Sequence, residues 1–244
     1  MITLRLVQLA CVAITGLGCR LVYAEPAVKV DPFEAEYVVQ TAGFKIASNR
    51  VTLSRKEDQT YVYESFAKPA GIMSWARHVR AQESSHWTIR DNAVVPLEYS
   101  YQLLNGDQSR NYHSVFNWSH HAVTIFGQEG TSTVEIPDGT LDRFVLQLAV
   151  MFDLQRNRER LEYTVVDKSR LKSYRFRMTG DEHIETPAGS FETVKIETVK
   201  DNSSRKQITT FWCAPSLGYL PVRITYQSKR KPRYNMLLNS VKGL

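Results

Sequence analysis

Gly180-Asp181-Glu182-His183-Ile184-Glu185-Thr186-Pro187-Ala188-Gly189-Ser190-Phe191-Glu192-Thr193-Val194-Lys195-Ile196 reads as strand, tight turn, strand. Pro187 presets its own φ and Gly189 gives a permissive backbone, which together suit a reversal between antiparallel strands. Phe211-Trp212-Cys213-Ala214-Pro215-Ser216-Leu217-Gly218-Tyr219-Leu220-Pro221-Val222-Arg223-Ile224 repeats the same plan. On either side of these tracts, period-two alternation covers most of the chain. Ala35, Tyr37 and Val39 alternate with polar residues, as do Val51 and Leu53; Leu97, Tyr99, Tyr101 and Leu103; Leu161, Tyr163 and Val165; Tyr174, Phe176 and Met178; and Val222, Ile224 and Tyr226. Such alternation gives each strand one buried and one wet face, the mark of antiparallel sheet. Gly43, Asn105-Gly106-Asp107 and Asp201-Asn202-Ser203-Ser204 supply turn chemistry between these segments.

One segment breaks the period. Leu141, Phe144, Val145, Leu148, Met151 and Phe152 recur at three and four residues, which predicts a helix over Leu141–Phe152. Thr140 or Asp138 serves as its N-cap, Asp142 suits its first turn, and Arg156 and Arg158 follow its end. A weaker helical pattern covers Gly71–Ala81, with Ile72, Trp75 and Val79. The expected fold is all-β with one main helix: a strongly curved antiparallel sheet or incomplete β-barrel, packed by an amphipathic helix over an open side.

The N-terminus reads as a leader. Arg5 is its basic start, Leu6–Gly18 its apolar stretch, and Val22-Tyr23-Ala24 a small-x-small cleavage site. The alternative is lipidation at Cys19 after Gly16-Leu17-Gly18. Residues 1–24 are therefore expected to be a signal peptide, and 25–244 a single β-rich domain in the periplasm. No stretch after Ala24 approaches the apolar length of a spanning helix. Cys213 is the one thiol left after Ala24, so the core must hold without an internal disulfide. The full chain carries a net +6, from 31 basic and 25 acidic residues. Without Arg5 and Arg20 it is +4, with 29 basic against the same 25. That mild bias is either ordinary solubility charge or an attraction to anionic lipid or envelope polymer; it does not point to nucleic acid.

Leu141-Asp142-Arg143-Phe144-Val145-Leu146-Gln147-Leu148-Ala149, Val165-Val166-Asp167-Lys168, Tyr174-Arg175-Phe176, the Thr186–Lys195 turn, Phe211–Pro215 and Leu220-Pro221-Val222-Arg223 occur in this order. In that order they resemble the bacterial secreted family known as domain of unknown function 3108, from Phe33 to Tyr226. The resemblance implies an exported, β-rich protein. It carries no catalytic residues to transfer.

Few residues suggest chemistry. Cys213 lies among Phe211, Trp212 and Ala214, as a core cysteine does. His120-His121 would point to opposite faces of a strand, and only a turn would let them share a metal. Glu182 and Glu185 fit a solvated strand end as well as an acid–base pair. Lys229-Arg230-Lys231-Pro232-Arg233 reads as a solvated loop or a phosphate contact. No nucleophile elbow, P-loop or dinucleotide glycine fingerprint is present. No catalytic, cofactor or metal residue is therefore assigned. The aromatic supply of the strands, together with the helix, points to an apolar site. Tyr99, Tyr101, Leu148, Phe152 and Trp212 are its candidate ligand-binding residues. The expected function is non-catalytic binding of an apolar or amphiphilic envelope component, such as a lipid or lipopolysaccharide-type ligand, by a monomer. The alternatives are an envelope hydrolase or modifying enzyme with an unfamiliar site, and an interaction module with an envelope protein partner.

Overall fold

The computed structural model describes residues 30–71, 74, 78–199, 207–228 and 231–244. The leader with Cys19 and Ala24, Ile72 and Trp75 of the Gly71–Ala81 helical pattern, the Asp201–Ser204 turn and Lys229–Arg230 lie outside them. The tail of that pattern, Arg80 and Ala81, is strand.

Strands come first in the chain: β1 (Phe33–Thr41), β2 (Phe44–Arg55), β3 (Tyr61–Pro69), β4 (Arg80–Arg90), β5 (Ala93–Leu104), β6 (Tyr112–Asn117), β7 (Ala122–Gly127), β8 (Gly130–Glu135) and the short β9 (Leu141–Asp142). Helix α1 (Leu146–Gln155) follows, then β10 (Leu161–Asp167), β11 (Arg170–Thr186), β12 (Gly189–Thr198), β13 (Gln207–Ala214), β14 (Leu220–Ser228) and β15 (Lys231–Lys242). All fifteen strands share one sheet, ordered β8-β7-β6-β5-β4-β3-β2-β1-β15-β14-β13-β12-β11-β10-β9. Neighbours pair antiparallel except β9 with β10. The curved, barrel-like sheet with one helix that the alternation implies is the one observed.

The sheet rolls past its own edge. Terminal strand β9 packs against β5, so β6, β7 and β8 overhang the seam. Adjacent residues of β10 record the overlap. Val165 belongs to the main core with Val145, Leu148 and Trp87. Val166 belongs to a second core with Tyr99, Phe116, Val123, Ile125 and Ile136. Because neighbouring strand residues point to opposite faces, β10 is covered on both sides.

The helix differs from its sequence pattern at the start and around its girth. Leu141 and Asp142 are strand, held by pairing with Val165 and Val166, and the helix begins at Leu146. Neither Thr140 nor Asp138 caps it. Instead Asp142 Oδ1 accepts the amides of Phe144 (2.7 Å) and Val145 (2.9 Å), turning the chain into the helix. Eight of its ten residues are buried, all but Gln147 and Gln155. α1 is thus packed around most of its circumference inside the roll, where the sequence pattern has it presenting one stripe to an open side. Its C-terminus is tied down by polar groups. Arg156 reaches Asn92 O (2.8 Å) and Asp153 Oδ1 (3.0 Å), and Tyr163 donates to Asp153 Oδ2 (2.8 Å).

The Thr186–Ser190 turn reverses β11 into β12, with Thr186 opposite Gly189. Gly189 has φ +131°, and a β-carbon there would meet nothing closer than 4.0 Å. The constraint is therefore backbone conformation and not space. Gly189→Val is expected to lower the unfolding free energy by about 1–3 kcal/mol in denaturant titration. A variant unfolding together with the parent would remove the special role of this backbone.

Candidate apolar site along the buried helix

The residues that pack α1 leave two concavities beside it. The larger, of about 390 Å³, is lined by Phe33 and Leu53 of β1 and β2, by Leu148, Met151, Phe152 and Gln155 of the helix, and by the Pro215–Gly218 turn. The smaller, of about 120 Å³, lies on the other flank. Its walls are Leu146, Val150 and Met151 of the helix and Phe176, Ile196, Phe211 and Cys213 of the sheet. Met151 lines both. The aliphatic and aromatic walls exist because the inward period-two residues of β1, β2 and β11 to β13 face an almost wholly apolar helix. At the rim of the larger chamber the polar groups are Asp31, Gln155 and Ser216, and Gln155 Nε2 donates to Gly218 O at 3.1 Å.

The rim of the smaller chamber is the seam of the roll. Arg143 Nε pairs with Glu83 Oε1 at 2.9 Å, and Tyr99 donates its hydroxyl to the same oxygen at 2.6 Å. The Arg143 guanidinium sits 5.4 Å from the Tyr101 ring centre. Deeper in, Ser85 donates to Asp142 Oδ2. Burial pushes the Asp142 carboxyl up to about 6 against the opposing pull of its hydrogen bonds. These groups satisfy one another. They close by side chains an edge that no backbone ladder closes.

The five residues singled out from the sequence separate into three places. Leu148 and Phe152 line the larger chamber. Tyr99 and Tyr101 belong to the seam and the overhang, beside Tyr112. Trp212 pairs across the ladder with Lys195, whereas Cys213 pairs with Val194 and lines the smaller chamber. Trp212 therefore faces away from that chamber. Its indole donates to Glu182 Oε2 at 2.7 Å, and Arg223 lies 4.6 Å from its ring centre. Phe33, Leu53, Met151 and Phe211 were missed as lining residues. Phe33, Leu53 and Met151 carried a periodic signal, but periodicity shows that a side chain faces inward and not what stands opposite.

The remaining candidates have ordinary environments. Cys213 is 1% exposed, and burial raises its thiol to about 12, so it carries no nucleophilic thiolate at neutral pH. Glu182 is bound by Lys195 Nζ (2.7 Å) and the Trp212 indole, and the lysine contact foremost holds its carboxyl below the usual range. Glu185 is exposed and opposite Ser190. His120 and His121 do lie in a turn, but with different partners: Asn117 Oδ1 at 3.0 Å and Asp138 Oδ1 at 3.2 Å. Among the described residues, no three His, Cys, Asp or Glu side chains converge as a metal site would require.

Comparison with solved structures supports the rolled sheet. A β-barrel-like protein of the domain of unknown function DUF1849 from Brucella abortus aligns with a TM-score of 0.61 at 9% identity, covering 89% of this chain and all of its own. A candidate lipoprotein from Parabacteroides distasonis aligns with a TM-score of 0.39 at 10% identity, over 88% of this chain and 97% of its own. A candidate exported protein with a YmcC-like fold from Bacteroides fragilis gives 0.37 at 10%, over 88% and 98%. The first of these carries the fold comparison; the other two are too distant to add to it. No functionally curated protein matches the sequence. Residues 33–230 match the model of the family described as protein of unknown function (DUF3108), and the chain belongs to that family.

Proposed function

We propose that this protein binds an apolar or amphiphilic component of the cell envelope without transforming it, and that it holds the apolar part beside α1. The observation that carries this reading is the pair of chambers on either side of a helix that is otherwise packed on nearly every face. Burial of methylenes along such walls is worth about 0.8 kcal/mol each, so a short chain suffices for useful affinity after the entropy of association. Lipid or a lipopolysaccharide-type molecule is the ligand class of this proposal, and the protein acts as a monomer. An enzymatic reading finds less support, because the titratable groups near the chambers are already engaged with one another.

Binding is tested with phenylnaphthylamine, an uncharged apolar fluorophore. The parent should show saturable fluorescence enhancement. Met151→Trp, which places bulk between both chambers, should weaken it at least about tenfold while costing about 1–3 kcal/mol of stability. A parent without saturable binding would remove this function and leave the interaction module ahead.

Location belongs to the same proposal. The segment from Arg5 to Ala24 directs export, and the single domain from Glu25 onward works free in the periplasm. Mass spectrometry of the protein from a bacterial host should give Glu25 as the N-terminus. An acylated Cys19 at the N-terminus would show instead that the domain is tethered to a membrane.

A further inference from the structure

The outer face of the sheet holds a further concavity, independent of the two chambers beside the helix. It has a volume of about 550 Å³ and sits over β1, β2, β3 and β15. The convex side of a rolled sheet normally offers no pocket. Here two irregularities in the pairing of β1 bend it. One lies between Glu36 and Tyr37 against β15, the other between Val39 and Gln40 against β2. Bulges of this kind re-aim side chains and recur beside binding sites.

The ladder fixes which residues share this face. Val38 stands opposite Ser48, and Ser48 opposite Lys68. In the next row Glu36 stands opposite Arg50, and Arg50 opposite Phe66. Lys45 stands opposite Gln40, about 10 Å along the strand from Ser48 at the usual rise. Both lysine side chains can therefore lean over the same hollow. Val38 and Phe66 give it a small apolar floor, and three cations surround it against the one carboxylate of Glu36. Arg50 is tied to Glu36 through Nε (3.2 Å) and Nη2 (2.8 Å), and Glu34 adds its field from the same strand. Lys45 and Lys68 form no ion pair among the described residues.

We infer that the hollow bounded by Lys45, Arg50, Lys68 and Phe66 is a binding site for a phosphate group carried on a small organic framework. Two mobile ammonium groups and one guanidinium approach from different strands. A phosphate, with several acceptor oxygens and more than one negative charge, can answer all three, while a single carboxylate cannot. Phe66 and Val38 accommodate the carbon skeleton next to it. Free phosphomonoesters and lipids whose headgroup is a bare phosphomonoester share this chemistry.

The test titrates the protein with glycerol phosphate and follows backbone amide shifts. In parallel it sediments the protein with vesicles of phosphatidylcholine alone or mixed with phosphatidic acid, whose headgroup is a phosphomonoester. Shifts confined to β1, β2, β3 and β15 are expected. Lys45→Gln/Lys68→Gln should weaken binding about tenfold, as the removal of two exposed ammonium groups implies. Lys168→Gln/Arg170→Gln, which removes the same charge from the exposed β10–β11 turn, should change it little. Binding to glycerol phosphate and to the mixed vesicles alike assigns the phosphate group itself. Binding to the mixed vesicles alone, still weakened in the Lys45/Lys68 variant, assigns the lipid surface as its source. No binding of either, or equal weakening in the two double variants, overturns the inference. All these substitutions are on exposed side chains, so folding is retained and each outcome reads on the site.

Discussion

Asp142→Ala is expected to lower the unfolding free energy by about 3–5 kcal/mol at pH 5, measured by denaturant titration. The carboxyl group is 1% exposed and makes three hydrogen bonds, with Ser85 and with the amides of Phe144 and Val145. Alanine leaves all three of these groups without that partner inside the protein, at about 1–3 kcal/mol each before relaxation. The loss also strikes two structures together: the turn that launches α1, and the side-chain closure between β9 and β4. Asp142→Asn is expected to behave differently. Its carbonyl can keep both amides, and its amino group can donate to Ser85 Oγ, with the hydroxyl turning to accept.

The same residue gives stability a pH dependence with a defined sign. Burial raises its folded pKa to about 6, while the unfolded chain titrates near ~3.9. Between those values the folded protein holds the extra proton, so stability falls as pH rises. The contribution is fully present below about pH 4 and lost by the time pH has passed about 6, an effect on the order of 3 kcal/mol. Asp142→Asn should flatten this part of the profile and exceed the parent in stability at pH 8. If both proteins keep parallel profiles from pH 4 to 8, the seam carboxylate is not the group that titrates.

Leu148→Ala is expected to cost about 2–5 kcal/mol, and Leu148→Asp or Phe152→Asp to abolish cooperative melting. Leu148 is fully buried and Phe152 is 3% exposed, in the main core beside Trp87, whose ring centre lies 6.0 Å from that of Phe152. A helix lying over an open mouth would tolerate a carboxylate on its outer side. A helix enclosed by the roll has nowhere to hydrate one, and an isolated buried charge is costlier than the domain can absorb. The alanine variant also enlarges the chamber that Leu148 lines, so it should retain phenylnaphthylamine binding while melting earlier. A cost of less than about 1 kcal/mol for Leu148→Ala would mean that the helix is not clamped as described.

Strand content, the single main helix, the Pro187–Gly189 reversal, the buried character of Cys213 and the family resemblance were all legible in the sequence, because they rest on local periods and turn chemistry. Alternation assigns a residue to a face. It does not say what stands across from that face. Val165 and Val166 read as one strand with an extra apolar residue; only the roll shows that each faces a different core. Leu141 and Asp142 fit a helical stripe, yet pairing with β10 takes them out of the helix. Met178 continues an inward series but is 39% exposed, next to the irregularity at Gly180. Trp212 reads as core and is buried, yet it faces away from the chamber that its neighbour lines. The seam joins Ser85 to Asp142 and Glu83 to Arg143 across more than fifty residues of chain. Such pairs form because a rolled sheet must end somewhere, and the strand it meets there is set by curvature accumulated over the whole sheet, which no local stretch encodes.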